Sequence, residues 1–300
     1  MQPGTLHARA AALRDRLRWR LVPAAATPMD RAGRVDPAVL DHYLRSLVAD
    51  GAHALAVLAH TGRGPYLDPP VRDEVVRLAV YTGVPVLVGT SGDGPAAERQ
   101  AERAAALGAD GLLVFAPDGT DPLAHHDALW RAAGLPLLAF DLYTRPYPAA
   151  VRAELLDHPG VAGLKVALLS DAIACQEAIA ATNAAGRLAV TGEDRMFGPS
   201  LMWGAEAALV GLAAAAVPVT AEVLDAYANG DHARFVPASA RLDRLAKVTF
   251  TEPMEGYVQR MLWIAAAEGR IPDDHAHDRH GPPLPDGDRE TVLRVVTDLS

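Results

Sequence analysis

Short runs of consecutive aliphatic residues alternate with Ala-, Leu- and Arg-rich segments of helical period along the first three-quarters of the chain. The runs cover residues 21–26, 54–59, 85–89, 111–115, 136–142, 161–166, 188–191 and 208–212, which gives eight strand candidates. Helical spacing between them predicts helices over 37–49, 69–80, 96–107, 121–133, 149–156 and 171–181. Because the strand runs are continuously apolar, they read as buried on both faces, as in a parallel sheet covered by helices. Eight β-α units of this kind predict an α/β fold of the (β/α)8 TIM-barrel class. A doubly wound sheet is the rival architecture, but its G-x-G-x-x-G turn is missing from the first unit. After the eighth run, helical patterns over 221–228, 233–247 and 253–268 are too many for one barrel helix and predict a C-terminal helical extension. The division expected is a barrel with a leading helix over 1–231 and the extension over 232–300. Residues 271–288, rich in Pro, Gly, Asp and His, read as a surface loop ahead of a last helix over 289–298.

Composition narrows the class of function. A formal net charge of −9 argues against nucleic acid or an anionic membrane as the main partner, and an anionic small substrate needs a local basic pocket. No window approaches 18 uninterrupted apolar residues, so no spanning segment is expected. The first 18 residues carry neither a signal-peptide apolar stretch nor the serines of a transit peptide, and predict a helix. The single cysteine, Cys175, reads as a small core residue and fits a reducing, cytoplasmic setting. The His275, His277 and His280 cluster tempts a metal reading, which its loop composition opposes, so no metal is expected. The stretch Gly89 to Gly94 lacks the Lys-Ser/Thr of a phosphate-binding loop and reads as a barrel turn; no organic cofactor is expected either.

In a barrel of this class the chemistry sits where strands end. The chain has only two lysines, and Lys165 lies inside the apolar run Val161 to Leu169. Burial penalises a charged amine, so this context predicts a lowered pKa and neutral, nucleophilic nitrogen, as imine chemistry requires. A lysine whose stem is buried and whose head reaches the strand end accounts for the same context. Around it, strand ends supply His60, Thr61 and Gly62; Phe140, Asp141, Tyr143 and Arg145; Gly192, Glu193 and Asp194; and Leu209 in the eighth run. One amine, one imidazole, carboxylates, hydroxyls and an arginine at a common mouth predict a site for an anionic carbonyl compound. Each has a bland counterpart: His60 as a packing histidine, Tyr143 as a rim residue, Arg145 as the ion-pair partner of Asp141 or Glu193. Glu193 and Asp194 also read simply as a helix N-terminus.

The segment Leu21 to Pro28, the triplet His60-Thr61-Gly62 and the triplet Gly163-Leu164-Lys165 together resemble the dihydrodipicolinate synthase/N-acetylneuraminate lyase superfamily in order and spacing, over essentially the whole chain. The resemblance implies a (β/α)8 barrel with a helical extension, a homo-oligomeric assembly as dimer or tetramer, and a cofactor-independent lyase or aldolase. It makes Lys165 the Schiff-base lysine for a 2-oxo acid, with Thr61 and Gly62 binding the substrate carboxylate and Arg145 meeting a second one. The departures are equally specific. Phe140 stands where most members carry a proton-shuttling Tyr, and His60 replaces the first Thr of the usual G-T-T-G-E turn, whose Glu is here Arg63. Pro117-Asp118-Gly119 replaces a P-Y-Y segment. Dihydrodipicolinate synthesis is therefore not expected, and His60 becomes the candidate acid or base, with Tyr143 behind it. The alternatives are dehydration of a deoxy-keto sugar acid and a catalytically silent barrel that binds 2-oxo acids. The stripe Glu255 to Trp263 reads as extension packing, where related proteins make subunit contacts.

Overall fold

The computed structural model describes residues 5–169 and 171–299. Its strands are β1 (Leu21–Pro23), β2 (Leu55–Val57), β3 (Val86–Thr90), β4 (Gly111–Phe115), β5 (Leu137–Leu142), β6 (Val161–Ala167), β7 (Leu188–Thr191) and β8 (Ala207–Val210). They pair in parallel in the order β1-β8-β7-β6-β5-β4-β3-β2. A parallel bridge between Ala24 and Ala56 closes the ring, with Ala25 N donating to Ala56 O at 2.9 Å. This is the TIM barrel that the eight apolar runs predict.

Helix α1 (Ala8–Leu17) precedes the barrel, and α2 (Pro37–Ala49), α3 (Pro69–Tyr81), α4 (Gly94–Ala106), α5 (Pro122–Ala133), α6 (Ala149–Asp157), α7 (Ala172–Ala184) and α8 (Phe197–Met202) follow β1 to β7 in turn. After β8 come α9 (Val217–Ala228), α10 (His232–Thr249), α11 (Tyr257–Ala267) and α12 (Asp288–Leu299). Asp-Pro pairs start α2, α3 and α5, and in two of them the Asp side chain caps the helix: Asp36 accepts from Ala38 N at 2.8 Å and Asp121 from Ala124 N at 2.8 Å. The following proline occupies a first-turn position where its missing N–H costs nothing. The same tolerance lets α9 begin at Val217, ahead of the expected 221, with Pro218 in its first turn. Helix α8 was not expected, because six residues are too few to display a helical period.

Inward side chains including Val22, Leu87, Leu113, Leu138, Val190 and Leu209 fill the barrel, and Leu13 and Leu17 of α1 join them at the end where the strands begin. Outward residues pack under the helices, and that same layer takes in Leu242 and Leu245 of α10 and Met261 and Ile264 of α11. Among the described residues no helix is long and apolar enough to cross a membrane.

One irregularity positions the chemistry. Leu137 pairs with Val161 but Leu138 pairs with Gly163, so Ala162 is an extra residue in β6. In a strand, alternate residues face opposite sides, and strict alternation from the outward Val161 would turn Lys165 outward as well. The extra residue reverses the parity from Gly163 onward, so Lys165 pairs with Phe140 and faces the interior. A Cβ at Gly163 would lie 2.3 Å from Leu188 O, so only glycine fits beside the bulge.

Candidate active site

At the end of the barrel where the strands finish, a cavity of about 30 Å3 is walled by His60, Thr61, Phe140, Leu142, Tyr143, Lys165, Ala167, Leu169, Gly192, Asp194 and Gly211, with Phe250, Met254 and Tyr257 from the extension. It has room for a water or two. A hollow of about 610 Å3 elsewhere is lined by residues of α3 and α4 and does not include Lys165.

Lys165 is buried, with Nζ 4.0 Å from the centre of the Phe140 ring. Burial pulls its amine well below the ordinary 10.5, opposed by the carboxylates of Asp194 and Glu193. A Cβ at Gly192 would lie 2.6 Å from Lys165 Cε, so the glycine makes room for the lysine stem. Asp194 lines the cavity, and its Oδ1 accepts from Leu212 N at 2.7 Å. Burial raises its carboxyl, an effect opposed by the Leu212 N–H and by Lys165.

Several residues expected at the site lie elsewhere, mostly because of strand alternation. Asp141 follows the inward Phe140 and therefore faces outward, accepting from Tyr147 N at 2.8 Å and Arg152 Nη1 at 3.2 Å. Glu193 likewise follows the inward Gly192. It turns toward α7, where its Oε1 accepts from Leu169 N at 2.8 Å and from the Cys175 thiol at 3.3 Å. Cys175 is the buried core residue expected, with this polar contact in addition. Leu209 is interior packing below the cavity, and Gly211 is the residue of that strand end that reaches it. Arg145 stays half exposed on the rim, ion-paired with Asp118 and with Nη1 3.4 Å from Ala116 O, and so takes neither of the partners expected for it. Gly62 stands behind Thr61 and does not line the cavity; its carbonyl accepts from Thr27 Oγ1 at 2.8 Å.

The remaining wall is built by a segment read from the sequence as packing. Tyr257, the first residue of α11, places its hydroxyl 3.0 Å from Thr61 Oγ1 and stacks its ring on Phe250 at 4.7 Å. Two residues earlier, in the turn Met254–Gly256, Glu255 is gripped by the barrel. His60 Nε2 donates to Glu255 Oε2 at 2.8 Å, Arg63 Nη1 donates to the same oxygen at 2.9 Å, and the Tyr143 hydroxyl donates to Oε1. Arg63, at φ 53 in the left-handed region, also donates from Nη2 to Glu255 O at 2.9 Å and to Asp278 Oδ2 at 2.7 Å. Burial alone would raise the Glu255 carboxyl; the bonds from His60, Tyr143 and Arg63 prevail and hold it down at about 2. Burial pushes the Tyr257 and Tyr143 hydroxyls up, so both stay protonated. The one sequence signal for this arrangement was Arg63 itself, since a buried cation in the turn demands a carboxylate from another element.

The histidines of the 271–288 loop diverge: His275 pairs with Asp274, His280 stacks on Tyr66, and His277 N bonds Met29 O. Among the described residues no group of three or more His, Cys, Asp or Glu side chains is placed to hold a metal ion.

The sequence profile of the dihydrodipicolinate synthetase family matches residues 18–268. A 4-hydroxy-tetrahydrodipicolinate synthase from Synechococcus sp. (strain CC9311) is 35% identical over 276 residues, covering 84% of this chain and 88% of its own. The one from Parasynechococcus marenigrum (strain WH8102) is 31% identical and covers 93% and 95%. Among solved structures, a prophage protein of the dihydrodipicolinic acid synthase family from E. coli K12, in complex with pyruvate, superposes with a TM-score of 0.84 at 19% identity, covering 93% and 98%. N-acetylneuraminate lyase from Mycoplasma synoviae superposes at 0.79 with 16% identity, covering 95% and 98%.

Proposed function

The chain belongs to the dihydrodipicolinate synthetase family, and on that premise we propose that it is a cofactor-independent lyase or aldolase that forms a Schiff base between Lys165 and a 2-oxo acid. The observation that carries this reading is a buried amine, lowered by its surroundings, facing into the barrel at the strand ends beside the Asp194 carboxylate. Neutral Lys165 attacks the ketone carbon, and a proton passes from nitrogen to oxygen to give the carbinolamine. Loss of water leaves an iminium, which takes up the electron pair of the C3–C4 bond when that bond breaks, or loses a C3 proton to give an enamine whose pair forms that bond. Asp194 accepts the proton that the ammonium must shed before attack. Thr61 Oγ1 meets the substrate carboxylate, sharing the hydrogen bond it now makes with Tyr257.

Dihydrodipicolinate synthesis is not the activity proposed, despite the names of the relatives. Phe140 offers the amine a ring and no hydroxyl, and Arg145 is ion-paired to Asp118 on the rim.

Borohydride reduction in the presence of pyruvate is expected to add one reduced-imine mass at Lys165 and none at Lys247, which is exposed and paired with Asp243 at 2.9 Å. Intact mass and peptide mapping read the result; labelling confined to Lys247, or none with any 2-oxo acid in a panel, removes the proposal. Adduct at Lys165 without turnover of any panel member would leave a binding barrel in its place.

The pH dependence carries a second expectation. Asp194 opposes the effect of burial on Lys165, so Asp194→Asn removes that opposition and lowers the amine further. The acid limb of the trapping rate then moves to lower pH, by about 1 to 3 units for loss of a nearby opposite charge. A limb that stays in place separates Asp194 from the amine.

A further inference from the structure

Imine chemistry needs a group that delivers and recovers protons beside the amine, and the wall of the Lys165 cavity offers few. Phe140, paired with Lys165 across the strands, has none to give. His60 and Tyr143 are both spent on Glu255. Asp194, the remaining acidic group, is tied to the backbone by the Leu212 N–H and opposes the effect of burial on the amine. That leaves Thr61 and Tyr257, whose hydroxyls are bonded to each other in the same cavity.

Tyr257 does not belong to the barrel, and its position is imposed by what grips the residues before it. Glu255 is held by His60, Arg63 and Tyr143, and Arg63 is held in turn by Asp278. His60 and Arg63 both depart from the G-T-T-G-E pattern in the turn after β2. Both departures engage one carboxylate, and that carboxylate lies two residues from the tyrosine.

We infer that Tyr257 is a catalytic residue of the reaction at Lys165, the proton carrier that the extension supplies in place of one from the strands, and that Glu255 is its positioning residue. The inference rests on the Schiff-base reading and assigns its missing acid and base. In the dehydration step Tyr257 gives its proton to the carbinolamine hydroxyl; the C–O bond breaks, its electron pair leaves with water, and the nitrogen lone pair forms the C=N bond. In the next step a proton leaves C3, its bonding pair forms the enamine C=C bond as the C=N pair returns to nitrogen, and the Tyr257 oxygen takes the proton back through Thr61. One proton is consumed and one released.

Exchange of the pyruvate methyl protons in D2O, followed by NMR, reads this cycle without any electrophilic partner. Tyr257→Phe retains the ring that stacks on Phe250, and is expected to slow exchange by about 100-fold or more while borohydride still labels Lys165. Glu255→Gln is expected to slow exchange by about tenfold alone and to add nothing in the Tyr257→Phe background, because it acts through the tyrosine. Phe140→Tyr, restoring a hydroxyl next to the amine, is expected to recover part of the lost rate in Tyr257→Phe. If the wild type gives neither adduct nor exchange, the Schiff-base reading falls and this inference with it. If the wild type exchanges and Tyr257→Phe, folded by its unfolding midpoint, exchanges equally fast, the inference alone is overturned. A Tyr257→Phe variant too unstable to assay shifts the decision to Glu255→Gln, whose unchanged exchange rate overturns it equally.

Discussion

Lys165→Met is expected to lower turnover of the 2-oxo acid by at least about 10,000-fold, because among the described residues no other amine lines the cavity and a nucleophile has no partial substitute. The same substitution carries a stability signature with a definite sign. The amine titrates near 8 in the folded chain against an ordinary value of 10.5, so between these values the unfolded chain binds more protons than the folded one. Stability of the wild type therefore rises with pH through that window, and the Met variant, having no such group, lacks the rise. The gap in denaturation midpoint between the two proteins is expected to change in favour of the wild type from about pH 8 upward. Parallel curves would show that the lysine is not held in a destabilising environment, and turnover surviving in the variant would place the chemistry elsewhere.

Arg260→Met is expected to cost about 3 to 5 kcal/mol of stability, the range for removing one partner from a buried charged network. Arg260 is fully buried and donates to Asp288 Oδ2 at 2.8 Å and to the carbonyls of Thr249, Thr251, Glu252 and Pro253. Methionine fills the volume but leaves one carboxylate and four carbonyls to find other partners. Arg260→Lys is expected to recover only part of the loss, since a single ammonium cannot span Asp288 and the carbonyls together. A urea midpoint within experimental error of the wild type would deny the network this role. Because those carbonyls lead into Met254 to Tyr257, pyruvate exchange is expected to fall in the Met variant even where it is folded.

Much of the architecture was legible because its causes are local. Continuous aliphatic runs of strand length separated by helical periods specify a buried parallel sheet wherever the chain leads next, and Asp-Pro pairs mark helix starts through one side chain and one missing N–H. Lys165 stood out for the same reason: an amine among Val161, Leu164 and Val166 is costly in any fold that buries the run. The alternation that sends Asp141 and Glu193 outward was also present in the sequence, since each directly follows a residue that faces the interior.

Other features depended on contacts between distant segments. Lys165 faces the cavity only because Ala162 is an extra residue in β6, and that irregularity is defined by the register against β5, which no property of β6 alone fixes. Tyr257 and Glu255 read as a packing stripe because their helical spacing is that of any amphipathic helix. Their place in the cavity wall arises from meeting Thr61, His60 and Arg63, residues nearly 200 positions away. The sequence by itself determined the barrel, the lysine in its apolar strand and the strand ends that surround it, all consequences of residue type and short-range period. The tertiary structure decided which side of β6 the lysine occupies and which tyrosine stands over it, because strand register and the docking of a distant segment are set by closure of the whole barrel.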